Sequence, residues 1–390
     1  MTHPLLETMR AYADEFVELR RDIHRHPELG LEETRTSSLI AQRLSAWGYE
    51  VHRGLARTGV VATLKRGVGG KRLGLRADLD ALPIREATGL PWQSRHDGVM
   101  HACGHDGHTA MLMAAARYLA ERGDFSGTLN LVFQPAEEHP GGARIMIEEG
   151  LFARFPCDAI FAMHNMPGVA QGHLVFREGA MMASSDDVTI VVTGLGGHGA
   201  MPHRATDPVV AAASIVMALQ TVVSRNVDPQ QTAVVTVGEL SAGRANNVIP
   251  DSARLELSVR ALDRDVRDLL EARIRALVEL QAQSFGVQAQ VHYKRDYPVL
   301  VNTAAETAFA REVGIELLGE SGVTRDGGAL TGSEDFAVML EYCPGSYLLI
   351  GNGAGDGGCM VHNPGYDFDD GNIVVGGAYW ALLAERYLRN

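Results

Sequence analysis

The order of its helical and strand-like segments constrains the fold of this chain more than any other feature. In the first part of the chain the two patterns alternate, with helices at residues 5–25, 34–47, 107–122 and 143–149 and strands at residues 59–64, 72–76, 128–133 and 159–163. Strands that are separated by helices form a largely parallel sheet with helices on both faces. The sequence therefore predicts an α/β fold built on a mostly parallel sheet.

A second pattern interrupts this alternation from about residue 185. Its order is β-α-β-β-α-β, with strands at residues 188–194, 232–240, 253–262 and 287–293 and helices at residues 208–224 and 264–283. That order is typical of a small ferredoxin-like α+β unit, an antiparallel sheet with two helices on one face. The first pattern then resumes with a helix at residues 303–318, a strand at 346–351 and a closing helix at 371–386. We predict a discontinuous larger domain of residues 1–184 and 295–390 and an inserted domain of residues 185–294.

Composition and charge argue against several classes of protein. The 390 residues carry a net charge of −13, which argues against nucleic acid or a membrane surface as a partner, because phosphate-rich surfaces attract clustered Lys and Arg. The sequence shows neither a secretion signal nor the ~18 uninterrupted apolar residues that a membrane span needs. Four cysteines are too few for a disulfide framework in a chain this long, so we expect a cytoplasmic protein.

Residues 101–109, HACGHDGHT, bring one thiol and three imidazoles within nine positions. Cys103 and His105 lie two residues apart, so both side chains can reach one point from a turning backbone. Thiolate and imidazole are a ligand pair that Zn²⁺ and similar ions accept. The alternative is that these are ordinary helix-cap and surface histidines beside a buried cysteine. That alternative does not explain why further residues of the kinds that bind metals occur in loops elsewhere in the chain. The motif therefore indicates a metal site.

Other candidate ligands directly follow predicted strands. They are Asp78 and Asp80 after strand 72–76, Glu137 and Glu138 after strand 128–133, His164 after strand 159–163, and His362 after strand 346–351 and the glycine-rich loop 351–358. Loops at the carboxyl ends of parallel strands converge on one edge of the sheet. Any one of these histidines alone would more often be an ordinary core or surface residue, but together they predict a shared site.

The adjacent Glu137 and Glu138 suggest a division of labour. Neighbouring residues in a loop point in different directions, so one carboxylate can bind metal while the other takes a proton from an attacking water. In isolation a Glu-Glu pair is usually a solvated acidic turn. After a strand end, in a chain that also carries the metal-type motif, we favour the catalytic interpretation.

Motifs along nearly the whole chain resemble those of a family of metal-dependent amidohydrolases and peptidases that includes hippurate hydrolase, N-acyl-amino-acid amidohydrolases and plant auxin-conjugate hydrolases. The motifs are RRDIHRHPELGLEE (20–33), RADLDALPI (76–84), MHACGHDGHT (100–109), FQPAEE (133–138), GGHGAMPH (196–203), NNVIPD (246–251), GSEDF (332–336) and HNPGYDFDD (362–370). One departure marks the cysteine-containing branch: Asp78 stands where the aminoacylase and dipeptidase branches have a ligand histidine, and the resemblance implies that His105 replaces it.

The resemblance implies a two-metal centre with Glu137 as its general base and with five ligands, namely Cys103, His105, Glu138, His164 and His362. A cysteine thiolate could bridge the two ions. Asp80 is expected to orient a ligand from behind, whereas Asp78 has no assigned role. Zn²⁺, Mn²⁺, Co²⁺ and Ni²⁺ all tolerate such a ligand set.

The resemblance also implies roles for the insert, as a lid that forms a homodimer contact. His198 would stabilise the oxyanion in a neighbouring subunit's active site, and Asn247 and Arg260 would bind the substrate's carbonyl or carboxylate. Judged on residue type alone, these three would be a loop histidine, a turn asparagine and a solvent-facing strand arginine.

We therefore expect a cytoplasmic, binuclear hydrolase that cleaves the amide bond of N-acyl amino acids, which are linear amides. A dipeptidase-like or other small-amide hydrolase on the same centre remains an alternative, as does a non-catalytic metal-binding protein. Thiol redox chemistry at Cys103 would need a resolving cysteine nearby, and the sequence contains no CxxC. The acyl group, the amino acid and the physiological metal stay open at this stage.

Overall fold

The computed structural model describes residues 3–353 and 359–389. Its helices are α1 (Pro4–Arg10), α2 (Ala13–Arg25), α3 (Thr34–Ala46), α4 (His105–Arg122), α5 (Gly142–Glu148), α6 (Leu151–Arg154), α7 (Pro208–Asn226), α8 (Arg264–Ser284), α9 (Ala304–Leu318), α10 (Phe336–Leu340) and α11 (Asn372–Tyr387). Residues 354–358 of the glycine-rich run, which we interpret from the sequence as an approach to His362, lie outside the described residues.

The strands divide between a large sheet, a smaller sheet and short pairs. They are β1 (Glu50–Leu55), β2 (Gly59–Arg66), β3 (Arg72–Asp78), β4 (Gly127–Gln134), β5 (Ala159–Met166), β6 (Leu174–Val175), β7 (Gly179–Met182), β8 (Ser184–Thr193), β9 (Gly197–His198), β10 (Ala233–Ala242), β11 (Val248–Ile249), β12 (Ser252–Ala261), β13 (Gln288–Tyr297), β14 (Leu300–Asn302), β15 (Val323–Thr324) and β16 (Gly345–Gly351). Two compact units result, with boundaries at Gly179/Ala180, Leu300/Val301, Gly328/Ala329 and Glu334/Asp335.

The larger unit is built on an eight-stranded sheet of order β1-β2-β4-β3-β5-β16-β6-β15. Its central strands β4, β3, β5 and β16 are parallel, whereas β1 and β2 add antiparallel strands at one edge. Every residue of β16 is buried, and β3 and β5 are buried along nearly all their length, as expected of strands covered on both faces. This sheet confirms the predicted α/β class.

Helix α4 lies in the middle of the larger unit and begins at the metal-type motif. Its first three turns, residues 105–116, are buried on every side, which is typical of a helix in the interior. Helix α11 packs against it closely because of Gly376, where a Cβ atom would lie 2.1 Å from the Met111 Sδ. The start of α4 is therefore held by surrounding elements and cannot shift freely.

The smaller unit contains a four-stranded antiparallel sheet of order β10-β12-β8-β13. Helices α7 and α8 pack on this sheet, and the unit has its own hydrophobic core. In chain order this is the β-α-β-β-α-β arrangement. The unit spans Ala180–Leu300 and also includes Ala329–Glu334, because Leu330 N–H donates to Met181 O and Ala183 N–H to Leu330 O.

Helix α7 has the length and apolar composition of a membrane-spanning segment. Its residues Ala211, Ile215, Leu219 and Val222 are buried in the core of the smaller unit. Core helices of globular proteins share this composition, so α7 by itself is weak evidence for a membrane span.

Candidate metal centre

The predicted ligands lie at the carboxyl edge of the larger sheet. Strands β4, β3, β5 and β16 are parallel neighbours, so their carboxyl ends lie side by side. Asp78 ends β3, the two glutamates follow the end of β4, and His164 lies near the end of β5. Ligands of open α/β sheets bind at this edge.

One group of candidate ligand atoms contains Cys103, His105 and His164, all buried and within 4.8 Å of one another. The Cys103 Sγ lies 3.2 Å from Nε2 of His164. Gly104 makes the turn between the first two ligands, and its φ of 94° is a conformation that other residues rarely adopt. The turn places Cys103 just before α4 and His105 at its first residue, so their side chains meet.

A second group joins Cys103 to Glu138 and His362, again within 4.8 Å. The Nε2 of His362 lies 3.0 Å from Oε1 of Glu138. The backbone N–H of His362 donates to the carbonyl oxygen of Ala102 at 2.7 Å, which fixes the loop beyond β16 to the segment before α4. Cys103 belongs to both groups, so the two sets of ligands share one thiol.

Glu137 lies beside both sets of ligands. A third group contains Glu137, Glu138 and His105, and Oε2 of Glu137 lies 4.0 Å from Nε2 of His105. The backbone N–H of Asp335 lies 3.4 Å from the other carboxylate oxygen, Oε1. The chain turns sharply after β4, because Ala136 has a φ of 54°. The side chain of Glu137 is therefore buried at the centre, where a general base is expected.

His105 presents a nitrogen that suits a metal ion. Its Nδ1 lies 3.1 Å from Oδ1 of Asp80, and a neutral ring that donates from Nδ1 has its lone pair on Nε2. Among the described residues, this buried Nε2 has no hydrogen-bond partner. Oδ2 of Asp80 accepts the backbone N–H of Glu138 at 3.0 Å. Asp80 thus contacts two candidate ligands, and the donor set fits a divalent cation.

The two buried histidines of the first group have opposite electrostatic surroundings. Burial lowers the pKa of His105, but the carboxylates of Asp78 and Asp80 outweigh it and raise the pKa to about 10. Burial also lowers the pKa of His164, to well below its usual range, which keeps this ring in the neutral form that binds metals. The carboxylates that favour a proton on His105 equally favour a metal cation.

The thiol of Cys103 needs a positive charge nearby in order to ionise. Burial, together with the neighbouring carboxylates of Glu138 and Glu137, raises the pKa of this thiol well above its usual value. A divalent ion reverses that effect and stabilises the thiolate, which is the form that coordinates metals.

Asp78, which has no role predicted from the sequence, belongs to a buried network behind the ligands. Its Oδ2 accepts from Nη1 of Arg76 at 2.8 Å, and its Oδ1 lies 2.7 Å from Nδ1 of His108. Arg76 also donates to Oδ1 of Asp335 at 3.1 Å. The Nε2 of His108 accepts the backbone N–H of Asn165 at 3.0 Å. Both ring nitrogens of His108 therefore have partners, whereas Cys103 and His105 of the same motif are candidate metal ligands.

A second buried network holds the start of α4 from the other direction. Oδ2 of Asp106 contacts Nε of Arg20 and Nδ1 of His24, each at 2.8 Å. The Nε2 of His24 lies 3.4 Å from Oε1 of Glu86. Because Arg20 and His24 belong to α2, these contacts connect α2 to the first turn of the helix that carries His105.

Replacing His24 by glutamine is expected to destabilise the protein near neutral pH and progressively less at alkaline pH. Burial lowers the pKa of His24, but Asp106 outweighs it and raises the pKa from 6.5 to about 9. A raised pKa contributes stability that is complete below pH 6.5 and is lost as the pH rises through 9. The difference between wild type and His24→Gln in free energy of unfolding should therefore shrink by about 3 kcal/mol over that range. Denaturant titrations at several pH values between 6.5 and 9 measure this difference in free energy of unfolding. A difference that does not change with pH would contradict a protonated His24 ring.

Three further predicted residues lie in the smaller unit. His198 is exposed in β9, which pairs with β11. The neighbouring Gly199 N–H donates to the carbonyl oxygen of Asn247 at 2.8 Å, so the structure brings these two predicted residues together. Arg260 is half-buried on a different strand, β12, and its Nη1 donates to Oγ of Ser333 at 2.8 Å.

Apart from Asp80, which was expected to orient a ligand, the residues that contact the ligands from behind were not predicted from the sequence. Asp335 and Tyr366 fall inside the GSEDF and HNPGYDFDD motifs, but the spacing does not show what they contact. Asn165 directly follows a predicted ligand, and this position was the one local signal that pointed to it.

A parallel-sheet edge that gathers thiolate, imidazole and carboxylate donors beside a further glutamate defines a metal-dependent hydrolase. Known proteins agree with this class. The chain is 46% identical over 375 residues to hippurate hydrolase of Campylobacter jejuni, which covers 96% of this chain and 97% of that protein. It is 38% identical over 375 residues to N-acetyl-L-cysteine deacetylase of Bacillus subtilis, covering 96% of this chain and 88% of that one.

A solved structure shows the same likeness. The YXEP protein of Bacillus subtilis, a dinuclear metal-binding peptidase from the M20 family, has 34% sequence identity and a TM-score of 0.84, covering 97% of this chain and 99% of that one. Residues 74–386 match peptidase family M20/M25/M40. The chain belongs to this family, which confirms the resemblance found in its motifs.

Proposed function

We propose that this protein hydrolyses the amide bond of N-acyl amino acids at a centre of two divalent metal ions. The observation that supports this most is the clustering of the candidate ligands in overlapping groups with Glu137 beside them; these ligands are Cys103, His105, Glu138, His164 and His362. Five protein ligands are too many for one tetrahedral ion and suit two ions with a shared ligand. Cys103 would be the shared ligand, because it belongs to both ligand groups.

The protein's own residues divide the work of hydrolysis. When bound, the ions would lower the pKa of a coordinated water to about 7 and polarise the acyl carbonyl. Glu137 accepts the proton from the attacking water and delivers it to the leaving amine. Asp80 orients His105, and the carbonyl oxygen of Asn165 accepts from Nδ1 of His164 at 2.6 Å, which leaves Nε2 of that ring for the centre.

We assign the substrate contacts to the smaller unit. The guanidinium of Arg260 pairs with the carboxylate of the amino acid, and such charged hydrogen bonds are strong and directional. His198 donates to the oxyanion that forms on the acyl carbonyl, and Asn247 binds the substrate carbonyl. The smaller unit, which we predicted to span residues 185–294, acts as a lid and homodimer contact, so that His198 serves the neighbouring subunit.

The cellular setting belongs to the same proposal. We place the protein in the cytoplasm, and its free cysteines Cys103, Cys157, Cys343 and Cys359 suit a reducing compartment. Zn²⁺, Mn²⁺, Co²⁺ and Ni²⁺ are all compatible with mixed thiolate, imidazole and carboxylate ligands. The net charge of −13 supports a small-molecule substrate over nucleic acid or an anionic membrane.

A substrate panel tests the proposed activity. Metal-stripped protein is reconstituted with each of the four ions and assayed on N-acetyl amino acids, N-benzoyl amino acids and dipeptides. We expect reconstituted protein to hydrolyse the N-acyl amino acids with the highest kcat/KM and the stripped protein to be inactive. Higher kcat/KM on dipeptides would favour a dipeptidase, and no hydrolysis by any reconstituted form would favour a non-catalytic metal-binding protein.

Replacing Arg260 by alanine is expected to lower kcat/KM for N-benzoyl amino acids by about 10- to 100-fold. The reason is that a hydrogen bond to a charged group contributes ~1.5–3 kcal/mol. The same substrates with the carboxylate converted to a carboxamide should show little change. Arg254→Ala is the matched control, because Arg254 is an exposed arginine on the same strand. An equal loss on both kinds of substrate would contradict the assigned carboxylate contact.

A further inference from the structure

Asn165, the residue after His164 in β5, is fully buried, and each of its polar atoms has a partner. Its Nδ2 donates to the carbonyl oxygen of Cys103 at 2.6 Å, and its Oδ1 accepts from the hydroxyl of Tyr366 at 2.7 Å. Its backbone N–H donates to Nε2 of His108 at 3.0 Å. Its backbone carbonyl accepts from Nδ1 of His164 at 2.6 Å.

These bonds connect two candidate ligands that are far apart in the sequence. The Cys103 Sγ and the His164 Nε2 lie 3.2 Å apart, although Cys103 precedes α4 and His164 lies near the end of β5. Donation from His164 Nδ1 to the Asn165 carbonyl fixes the tautomer and leaves the lone pair on Nε2. Donation from the Asn165 amide to the Cys103 carbonyl fixes the turn that carries the thiol.

The packing around the amide admits little adjustment. A Cβ atom at Gly104 would lie 2.3 Å from Nδ2 of Asn165 and 2.5 Å from the hydroxyl oxygen of Tyr366. The turn that joins Cys103 to His105 therefore rests directly on the Asn165 amide and on Tyr366. Tyr366 lies in the same segment as His362, so the amide is connected to a third ligand-bearing part of the chain.

We propose that Asn165 is a positioning residue of the metal centre: its amide sets the separation of Cys103 Sγ and His164 Nε2 and so the affinity for the ion that they share. This inference rests on the proposed function. Position 165 requires an amide side chain, because one end must donate to the Cys103 carbonyl and the other must accept from the Tyr366 hydroxyl. Aspartate would place a carboxylate oxygen against the Cys103 carbonyl, and alanine would leave both groups without this partner.

Metal affinity and the Co²⁺ spectrum test this inference without relying on activity. Co²⁺ is titrated into metal-stripped wild type, Asn165→Asp and Asn165→Ala in competition with a chelator, and the thiolate-to-cobalt charge-transfer absorption is recorded. We expect the Kd of the ion shared by Cys103 and His164 to rise by about 10- to 100-fold in both variants, with a weakened or shifted charge-transfer band. Tyr366→Phe removes one hydroxyl and keeps the ring, so a smaller change in the same direction is expected.

Asn130→Asp is the matched control. Asn130 is a second buried asparagine of the larger unit, its Nδ2 donates to the Pro156 carbonyl at 3.2 Å, and its Oδ1 accepts from the Thr63 hydroxyl at 2.8 Å. It lies on β4, outside the groups of candidate ligands. This variant should lose thermal stability in the metal-free form but keep the wild-type Kd and Co²⁺ spectrum.

The Kd values and Co²⁺ spectra of these variants either support or overturn the positioning role of Asn165. Wild-type Kd and spectrum in both Asn165 variants would overturn the positioning role, as would an equal loss of affinity in Asn130→Asp. If the Asn165 variants do not fold, Tyr366→Phe decides, since weakened binding supports the role and wild-type affinity overturns it. If wild type itself binds no Co²⁺ through a thiolate, the proposed function fails together with this inference, whereas strong wild-type binding that the variants retain overturns this inference alone.

Discussion

Replacing Glu137 by glutamine is expected to lower kcat by about 10²- to 10⁴-fold while the bound metal content stays at the wild-type level. A positioned general base contributes a factor of that size, and glutamine keeps the shape of the side chain without its basic oxygen. Glu137 lies 4.0 Å from His105 Nε2 and is buried at the centre, close enough to serve the reacting water. Its assigned task is proton transfer, so its loss should affect turnover much more than metal binding.

Steady-state kinetics and elemental analysis on the same preparations separate these two effects. Glu148→Gln is the control, because Glu148 is an exposed glutamate at the end of α5, outside the groups of candidate ligands. We expect its kcat to equal that of wild type. Retained turnover in Glu137→Gln would remove the assigned role of this residue, and loss of metal together with activity would make Glu137 a ligand instead.

Replacing Cys103 by alanine is expected to weaken both metal positions at once and to reduce activity to the level of the metal-stripped protein. Cys103 belongs to the group with His105 and His164 and also to the group with Glu138 and His362. Removal of a shared thiolate takes one ligand from each ion. His362→Ala, by contrast, removes a ligand from one group only, and that side chain is half exposed. The expected order of remaining metal content is therefore wild type, His362→Ala and then Cys103→Ala.

Equilibrium dialysis against a buffered divalent ion measures that order. Cys343→Ala is the matched control, because Cys343 is also a buried free cysteine of the larger unit, with its Sγ against the Cys157 carbonyl. It should keep the metal content of wild type. If Cys103→Ala lost no more metal than His362→Ala, the shared position of the thiolate would be contradicted.

The meeting of the predicted ligands follows from the order of the strands. Asp78, Glu138 and His164 are far apart in the chain, but each lies near the carboxyl end of one of three neighbouring parallel strands. The carboxyl ends of such strands share an edge, so the alternation of strand and helix patterns was enough to predict that these residues gather. The loop that carries His362 ends beside Ala102 for the same reason, because it follows β16.

The choice between the histidines of the motif could not be predicted in this way. His105 and His108 are three residues apart on α4 and therefore lie on the same face of the helix. Asp80 engages Nδ1 of His105 and leaves Nε2 for the centre, whereas Asp78 and the backbone of Asn165 engage both ring nitrogens of His108. These contacts come from other strands, and no local pattern in the helix shows them.

Several short elements of secondary structure also escaped prediction, and for the first helix and for β1 the reason is visible in the burial of their residues. Residues 5–25 read as one helix, but the structure has α1 and α2 with a turn at Ala11 and Tyr12. Met9, Tyr12 and Phe16 are buried on both sides of that turn, so the apolar spacing continues across it and conceals the break. Strand β1 was not predicted, because it is largely exposed and offers too little apolar alternation.

Crystals of the metal-loaded protein, measured with anomalous scattering at the absorption edge of the bound ion, would show how many ions bind and whether Cys103 binds both. We expect two peaks in each chain, both within bonding distance of the Cys103 Sγ, with His105, Glu138, His164 and His362 completing the two ligand sets and the Glu137 carboxylate coordinating neither ion. A single peak, or ions bound away from the Cys103 thiolate, would contradict the proposed two-metal centre.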